Sequence, residues 1–227
     1  MIWILFLGTM LLSLLAMWRL RSNFNRFSRM PVASGLTGAE VARRILHANG
    51  ISDVEVVPVA GSLTDHYDPI HKRLALSEPV YNESSVAALG VAAHECGHAL
   101  QHQQAYAPLN ARMAMVKVQG IASQTVMWLP LLGAFTGFVS PKIILPVMAI
   151  GWGVIMLFNL ITLPVEFDAS SRAGKALSSM GMIQTREEAD GIEKVLKAAA
   201  WTYVAAFITS LAYLLWHLLP LLAGRRE

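Results

Sequence analysis

His94, Glu95 and His98 spell His-Glu-x-x-His inside the stretch "HECGHALQH". On a helix, residues four apart share a face and lie about 6 Å apart along the axis. Two imidazoles so placed can converge on one zinc ion, at about 2.0–2.1 Å each. Glu95 lies about 100° round the helix from His94, so it cannot easily share the histidine position but can reach a water on the metal. The spacing therefore offers two ligands and a general base. A shuffled chain of this composition contains the pattern roughly 0.01 times. The plain alternative is two solvated histidines on a polar helix face. His102 continues the spacing but lies about 12 Å along the axis from His94, too far for one ion to hold both. It reads as a solvated or supporting histidine. Cys96, the only cysteine, falls between the ligands in sequence but not in space, and reads as a buried thiol.

A catalytic zinc site needs three protein ligands and one open position. A metzincin would place Gly three residues after the second histidine and His three further on. Those positions hold Gln101 and Gln104, which excludes that class and points to a carboxylate further along. The segment "LPVEFDASSRA" puts Glu166 and Asp168 at the mouth of an apolar run, where an unpaired charge is costly. A bound cation would relieve that cost, and so would pairing with Arg172 or an interfacial position; placement alone leaves these open. The two acids are two residues apart, so on a helix they point about 200° away from each other and cannot both face one ion. Pro164 is tolerated in a first helical turn, which predicts a new helical segment opening there, with Glu166 near its N-terminus where carboxylates are favoured.

The elements that must position these groups are set in a membrane. Apolar residues make up 55% of the 227-residue chain and charged residues 15%, against about 25% charged in ordinary soluble proteins. The expected fold class is a mainly α integral membrane protein, with about four transmembrane helices and a small α+β portion carrying the His-Glu-x-x-His helix. We expect a transmembrane anchor at 1–18, a first cytoplasmic segment at 19–120, a transmembrane hairpin at 121–163, a second, helical cytoplasmic segment at 164–197, and a C-terminal span and tail at 198–227. The short "SPK" would turn the hairpin. The anchor has no basic residue before it and four arginines after it, Arg19, Arg21, Arg26 and Arg29, the pattern of an uncleaved anchor rather than a signal peptide. Fifteen of the eighteen Lys and Arg fall in the two segments expected on one side; the positive-inside rule makes that side cytoplasmic. A net charge of +3 gives no case for nucleic acid. One cysteine excludes an intramolecular disulfide.

Within the first cytoplasmic segment, Thr37 with Glu40 forms a capping box opening a helix that stops at Asn49-Gly50. "DVEVVPVA" reads as a strand, at an edge because of Pro58. "DHYDP" reads as a turn and "HKRLALS" as a second strand. "YNESSVAALGVAAHECGHALQHQQ" reads as one helix with a Ser or Asn cap. Thr185 with Glu188 opens the helix leading into the last span.

Three stretches, "SSVAALGVAAHECGHALQH", "DHYDPIHKRLALS" and "LPVEFDASSRA", resemble the family of membrane-bound neutral zinc metallopeptidases of the YugP type, over nearly the whole chain. A more distant similarity is to the HtpX and CAAX prenyl protease gluzincins, in which a downstream Glu opens an acid-x-x-x-Asp motif. Aligned on Glu166, the last position of that motif is Ser170 here, with an acid at Asp168 instead. The resemblance implies a zincin-like catalytic portion with a Zn2+ cofactor, His94, His98 and Glu166 as ligands and Glu95 as base. Asp168 would then face elsewhere, towards Arg172 or, as a supporting partner, towards the free N–H of a ligand histidine. It implies hydrolysis of a protein or peptide substrate, with zinc lowering the pKa of water towards about 7 and polarising the scissile carbonyl; the charge distribution puts that site at the cytoplasmic face of the lipid bilayer. Turnover of membrane or misfolded proteins would suit that location. His66, Tyr67 and Tyr203 are candidate oxyanion donors, and "RLALS" is a candidate edge on which an extended substrate adds as a strand. No regulatory partner can be named.

Two rivals remain at this point. A membrane scaffold or adaptor could keep a structural zinc and cut nothing, although such a site has no need of Glu95. An intramembrane site-2-type protease would bury its motif inside a span, whereas Gln101, His102, Gln103 and Gln104 follow the motif directly.

Overall fold

The protein is described by a computed structural model covering residues 2–137 and 140–223. Helix α1 spans Ile2–Phe27 and α2 spans Gly38–Ala48. Three strands follow, β1 at Glu55–Val59, β2 at His66–Asp68 and β3 at Arg73–Ser77. The rest is helical: α3 at Glu78–Asn82, α4 at Val86–Gln103, α5 at Ala107–Thr136, α6 at Pro141–Ser179 and α7 at Arg186–Ala223. Among the described residues, three helices are long and apolar enough to cross a membrane, α1, α6 from Lys142 and α7 to Leu222. Large side chains such as Trp3, Ile4, Leu11 and Ile150 are exposed on them, as lipid-facing surfaces require. The first arm of the expected hairpin, roughly 121–139 before the "SPK" turn, is not among the three. Its helix, α5, carries Gln119, Ser123 and Gln124, which dilute its apolar content. Residues 138–139 of that span, and residues 224–227 of the expected tail, lie outside the described residues.

The chain divides into two compact units. One comprises Met1–Leu15, Asn110–Leu163 and Tyr203–Glu227. In it, the Asn159 side chain donates to the Ala206 carbonyl at 3.1 Å and to Ser210 Oγ at 3.0 Å, joining α6 to α7. A polar group in an apolar helix is satisfied in this way, across a helix pair. Trp152 stacks on Tyr213 at 4.5 Å between centroids.

The other unit comprises Ala16–Leu109 and Pro164–Thr202. Its ends are fixed locally. Thr37 and Glu40 form the reciprocal capping box of α2, and Gly50 follows with φ 69°, so the Asn-Gly stop holds. Ser85 caps α4 by accepting from the Ala88 amide at 3.2 Å. Thr185 Oγ1 accepts from the Glu188 amide at 3.1 Å, and the Glu188 carboxylate accepts from the amides of Ala33, Gln184 and Thr185. Three sequence expectations are corrected. Residues His66–Asp68 are a strand rather than a turn, with the reversal falling after them, where Asp68 Oδ1 accepts from the amides of Ile70 and His71. The strand order is β1-β3-β2, β1 parallel and β2 antiparallel to β3. The "RLALS" strand, β3, is therefore central, both its edges are taken, and no substrate strand can add to it. Pro58 sits in β1, at an edge, where its missing N–H is tolerated. Finally, α6 runs unbroken through Pro164, so Glu166 lies deep in a 39-residue helix rather than in a first turn. One forfeited hydrogen bond is tolerated in a long apolar helix whose neighbours support it.

Helix α4 is the centre of this unit. Nearly all of it is buried, including Ala87, Ala88, Leu89, Ala92, Ala93, Cys96 and Ala99, because its opening run, residues 86–93, is apolar on every side, and such a helix belongs in a core. Val41 and Ile45 of α2, Leu74 and Leu76 of β3, and Leu177 of α6 share that core. After its C-cap, Gln104, α4 ends in a Schellman motif. The Tyr106 amide donates to the Gln101 carbonyl at 2.9 Å and the Ala105 amide to the His102 carbonyl at 3.0 Å, with Ala105 at φ 49°.

Candidate metal centre

The i, i+4 spacing on α4 brings the His94 and His98 rings to 4.9 Å between centroids, nearly perpendicular. Glu166 of α6 comes between them. Its Oε2 lies 3.3 Å from His94 Nε2 and 3.7 Å from His98 Nε2. One ligand atom from each of the three residues lies within 4.8 Å of the others. Ligands at about 2.0–2.2 Å from a tetrahedral zinc stand roughly 3.4 Å apart, so the donor set and the two separations from Glu166 fit that ion. The surroundings fit as well. Glu166 is 2% exposed, with an imidazole nitrogen of each histidine near its Oε2, and a cation held there would offset its buried charge.

Glu95 is buried beside this group. Burial pushes its carboxyl above the usual range, opposed by the charges of His94 and His98 and reinforced by Glu166. Cys96 is fully buried, donates weakly to the Ala42 carbonyl at 3.6 Å, and has its thiol pKa pushed up by burial. It faces the core as expected. His102 is absent from the metal group. Its Nδ1 meets the Tyr67 hydroxyl at 2.9 Å. Of the candidate oxyanion donors, Tyr67 is thus paired with His102, His66 Nδ1 donates to the Thr64 carbonyl at 2.8 Å, and Tyr203 belongs to the other compact unit.

Asp168 points away from the histidines. Its Oδ2 accepts from Arg172 Nε at 2.5 Å and from Gln101 Nε2 at 2.8 Å. It reaches His98 only through Gln101, whose Oε1 lies 3.0 Å from His98 Nδ1. His94 Nδ1 lies 3.1 Å from Ser170 Oγ. Gln101 and Ser170 are thus the direct partners of the two histidines. Sequence reasoning met both only as departures, a Gln where a metzincin has Gly and a Ser where a gluzincin has Asp. The usable signal was spacing: Gln101 is three residues after His98 and Ser170 four after Glu166, each on a shared helix face.

Comparison with known proteins agrees with this chemistry. A family described as "Putative neutral zinc metallopeptidase" matches residues 2–222. A relative from Bacillus subtilis (strain 168), named "Putative membrane protease YugP", is 48% identical over 221 residues, covering 95% of this chain and 94% of the relative. No solved structure matches the chain.

Proposed function

The chain belongs to this zinc metallopeptidase family, and from that premise we propose that it is a membrane-embedded, zinc-dependent endopeptidase of the gluzincin type. The observation that carries the reading is the convergence of His94, His98 and Glu166 beside the buried Glu95. In this proposal His94, His98 and Glu166 hold the ion and Glu95 is the base. A zinc ion supplies Lewis acidity, polarising the scissile carbonyl and lowering the pKa of water. Glu95 takes a proton from the attacking water as its oxygen bonds to the carbonyl carbon. It then delivers that proton to the amine nitrogen as the C–N bond breaks, and returns to the carboxylate. Two imidazoles and two carboxylates leave the protein scaffold with no net charge at the site beyond what the ion balances.

We place four crossings in the bilayer, α5 included, with both basic segments in the cytoplasm. The site then opens at the cytoplasmic membrane surface, and its substrates are membrane and misfolded proteins. Zinc content together with casein-type proteolysis by the detergent-solubilised protein tests the reading. A protein that binds zinc and cuts nothing, with Glu95→Gln indistinguishable from the unaltered chain, overturns it in favour of a scaffold with a structural metal.

A further inference from the structure

We infer that Gln101 is a positioning residue for the metal centre, holding His98 in the tautomer and orientation that ligation requires; the inference rests on the proposed zinc site. Gln101 is 0% exposed, and a buried amide is tolerated only when its polar atoms are bonded. Here all of them face partners. Nε2 donates to the Val165 carbonyl at 2.8 Å and to Asp168 Oδ2 at 2.8 Å, and Oε1 faces His98 Nδ1 at 3.0 Å.

Chemistry decides which end of the amide is which. A backbone carbonyl and a carboxylate only accept, so the NH2 group must face them. The amide oxygen must then face His98, and His98 Nδ1 must carry the proton that it accepts. The lone pair is left on Nε2, the atom 3.7 Å from Glu166 Oε2. Ligation needs that tautomer, fixed by the hydrogen bond at the other ring nitrogen.

The amide is itself held from outside. Asp168 is bound by Arg172 Nε at 2.5 Å. Arg172 Nη1 donates to Gln104 Oε1 at 2.6 Å, and its guanidinium lies over the Tyr106 ring at 5.7 Å. The series Gln101, Asp168, Arg172, Gln104 thus leaves α4, crosses to α6 and returns to the end of α4. His94 has no such restraint: Ser170 Oγ, its partner at 3.1 Å, is a rotor that can donate or accept. Of the two histidines, His98 is the one whose tautomer is enforced.

The test compares Gln101→Leu with the unaltered chain, both detergent-solubilised. Zinc affinity is read by chelator competition, the ligand field by the visible spectrum of the cobalt-substituted protein, and fold by thermal unfolding of the metal-free form. Gln101→Leu is expected to weaken zinc binding by about ten- to a hundredfold and to shift the cobalt bands. A residue that merely fastens α4 to α6 would lower the unfolding temperature and leave the cobalt bands in place, and that result overturns the inference. If Gln101→Leu does not fold, Asp168→Ala removes only the partly exposed anchor of the amide. It is expected to weaken zinc binding by a smaller factor, and an unchanged affinity overturns the inference. Zinc that binds normally in a chain that cuts nothing sinks the peptidase reading while leaving a weakened Gln101→Leu in support of this one. A chain that binds no zinc at all sinks both.

Discussion

Gly97 packs against Ala169 with no room for a side chain: a Cβ at position 97 would lie 2.5 Å from the Ala169 carbonyl oxygen. The obstacle is backbone, which cannot turn aside as a flexible side chain can. Gly97 stands directly before His98, and Ala169 lies three residues after Glu166 on α6. The close approach of the two helices is therefore what brings a carboxylate from one onto the histidines of the other. Gly97→Ala should force them apart, costing about 1–3 kcal/mol as overpacking of a close-packed contact does. It should also lower zinc affinity. Thermal unfolding and chelator competition on the same preparation check this; full zinc affinity in the variant would mean that the approach does not set the site.

Glu95→Gln should keep its zinc and lose hydrolysis. Glu95 neighbours the histidine pair but is not one of the three residues whose ligand atoms converge. Removing a general base costs at least about a hundredfold in rate, and the amide preserves shape. The measurement is proteolysis per bound zinc. Metal loss in this variant would assign Glu95 to the ligands instead.

Glu166→Gln and Asp168→Asn should part company. Glu166 is the carboxylate within 3.3 Å and 3.7 Å of the two imidazoles, so its loss should abolish zinc binding and activity together. Asp168 touches only Gln101 and Arg172 among its bonded partners. An asparagine there can still accept from the Gln101 amide, so zinc binding should weaken by no more than about tenfold. Both purified variants would face the same chelator challenge; a metal-free Asp168→Asn beside a loaded Glu166→Gln would reverse the assignment.

Orientation can be read with thiols. In a Cys96→Ser background, Arg73→Cys should resist a membrane-impermeant thiol reagent applied to intact cells, and Lys142→Cys should react. Cys96 itself is buried and adds little background even when kept. The opposite pattern would put the histidine pair outside the cell.

What the sequence settled by itself was local. The pairing of His94 with His98 follows from the helical repeat. The caps at Thr37, Ser85 and Thr185 follow from hydroxyls placed three residues before the amides they receive, and Gly50 marks the stop of α2 by its left-handed backbone. Each is decided within one turn of chain, so the residue order carries it. Three of the apolar runs were legible for the same reason, as length and composition alone make a helix able to cross a membrane.

The rest was decided by tertiary contact. Residue order could set Glu166 and Asp168 on opposite sides of a helix, but only the docking of α6 on α4 shows which side meets the histidines. Only that docking turns Gln101 and Ser170 from departures into the partners of His98 and His94. The same holds for the sheet: three residues at His66–Asp68 are too few to announce a strand, and β3 is central because β1 and β2 both pair with it. These contacts join residues up to 76 positions apart. A local repeat sets which way a side chain faces from its own helix. What it meets there depends on how closely the helices can approach, and here a missing Cβ at Gly97 sets that distance.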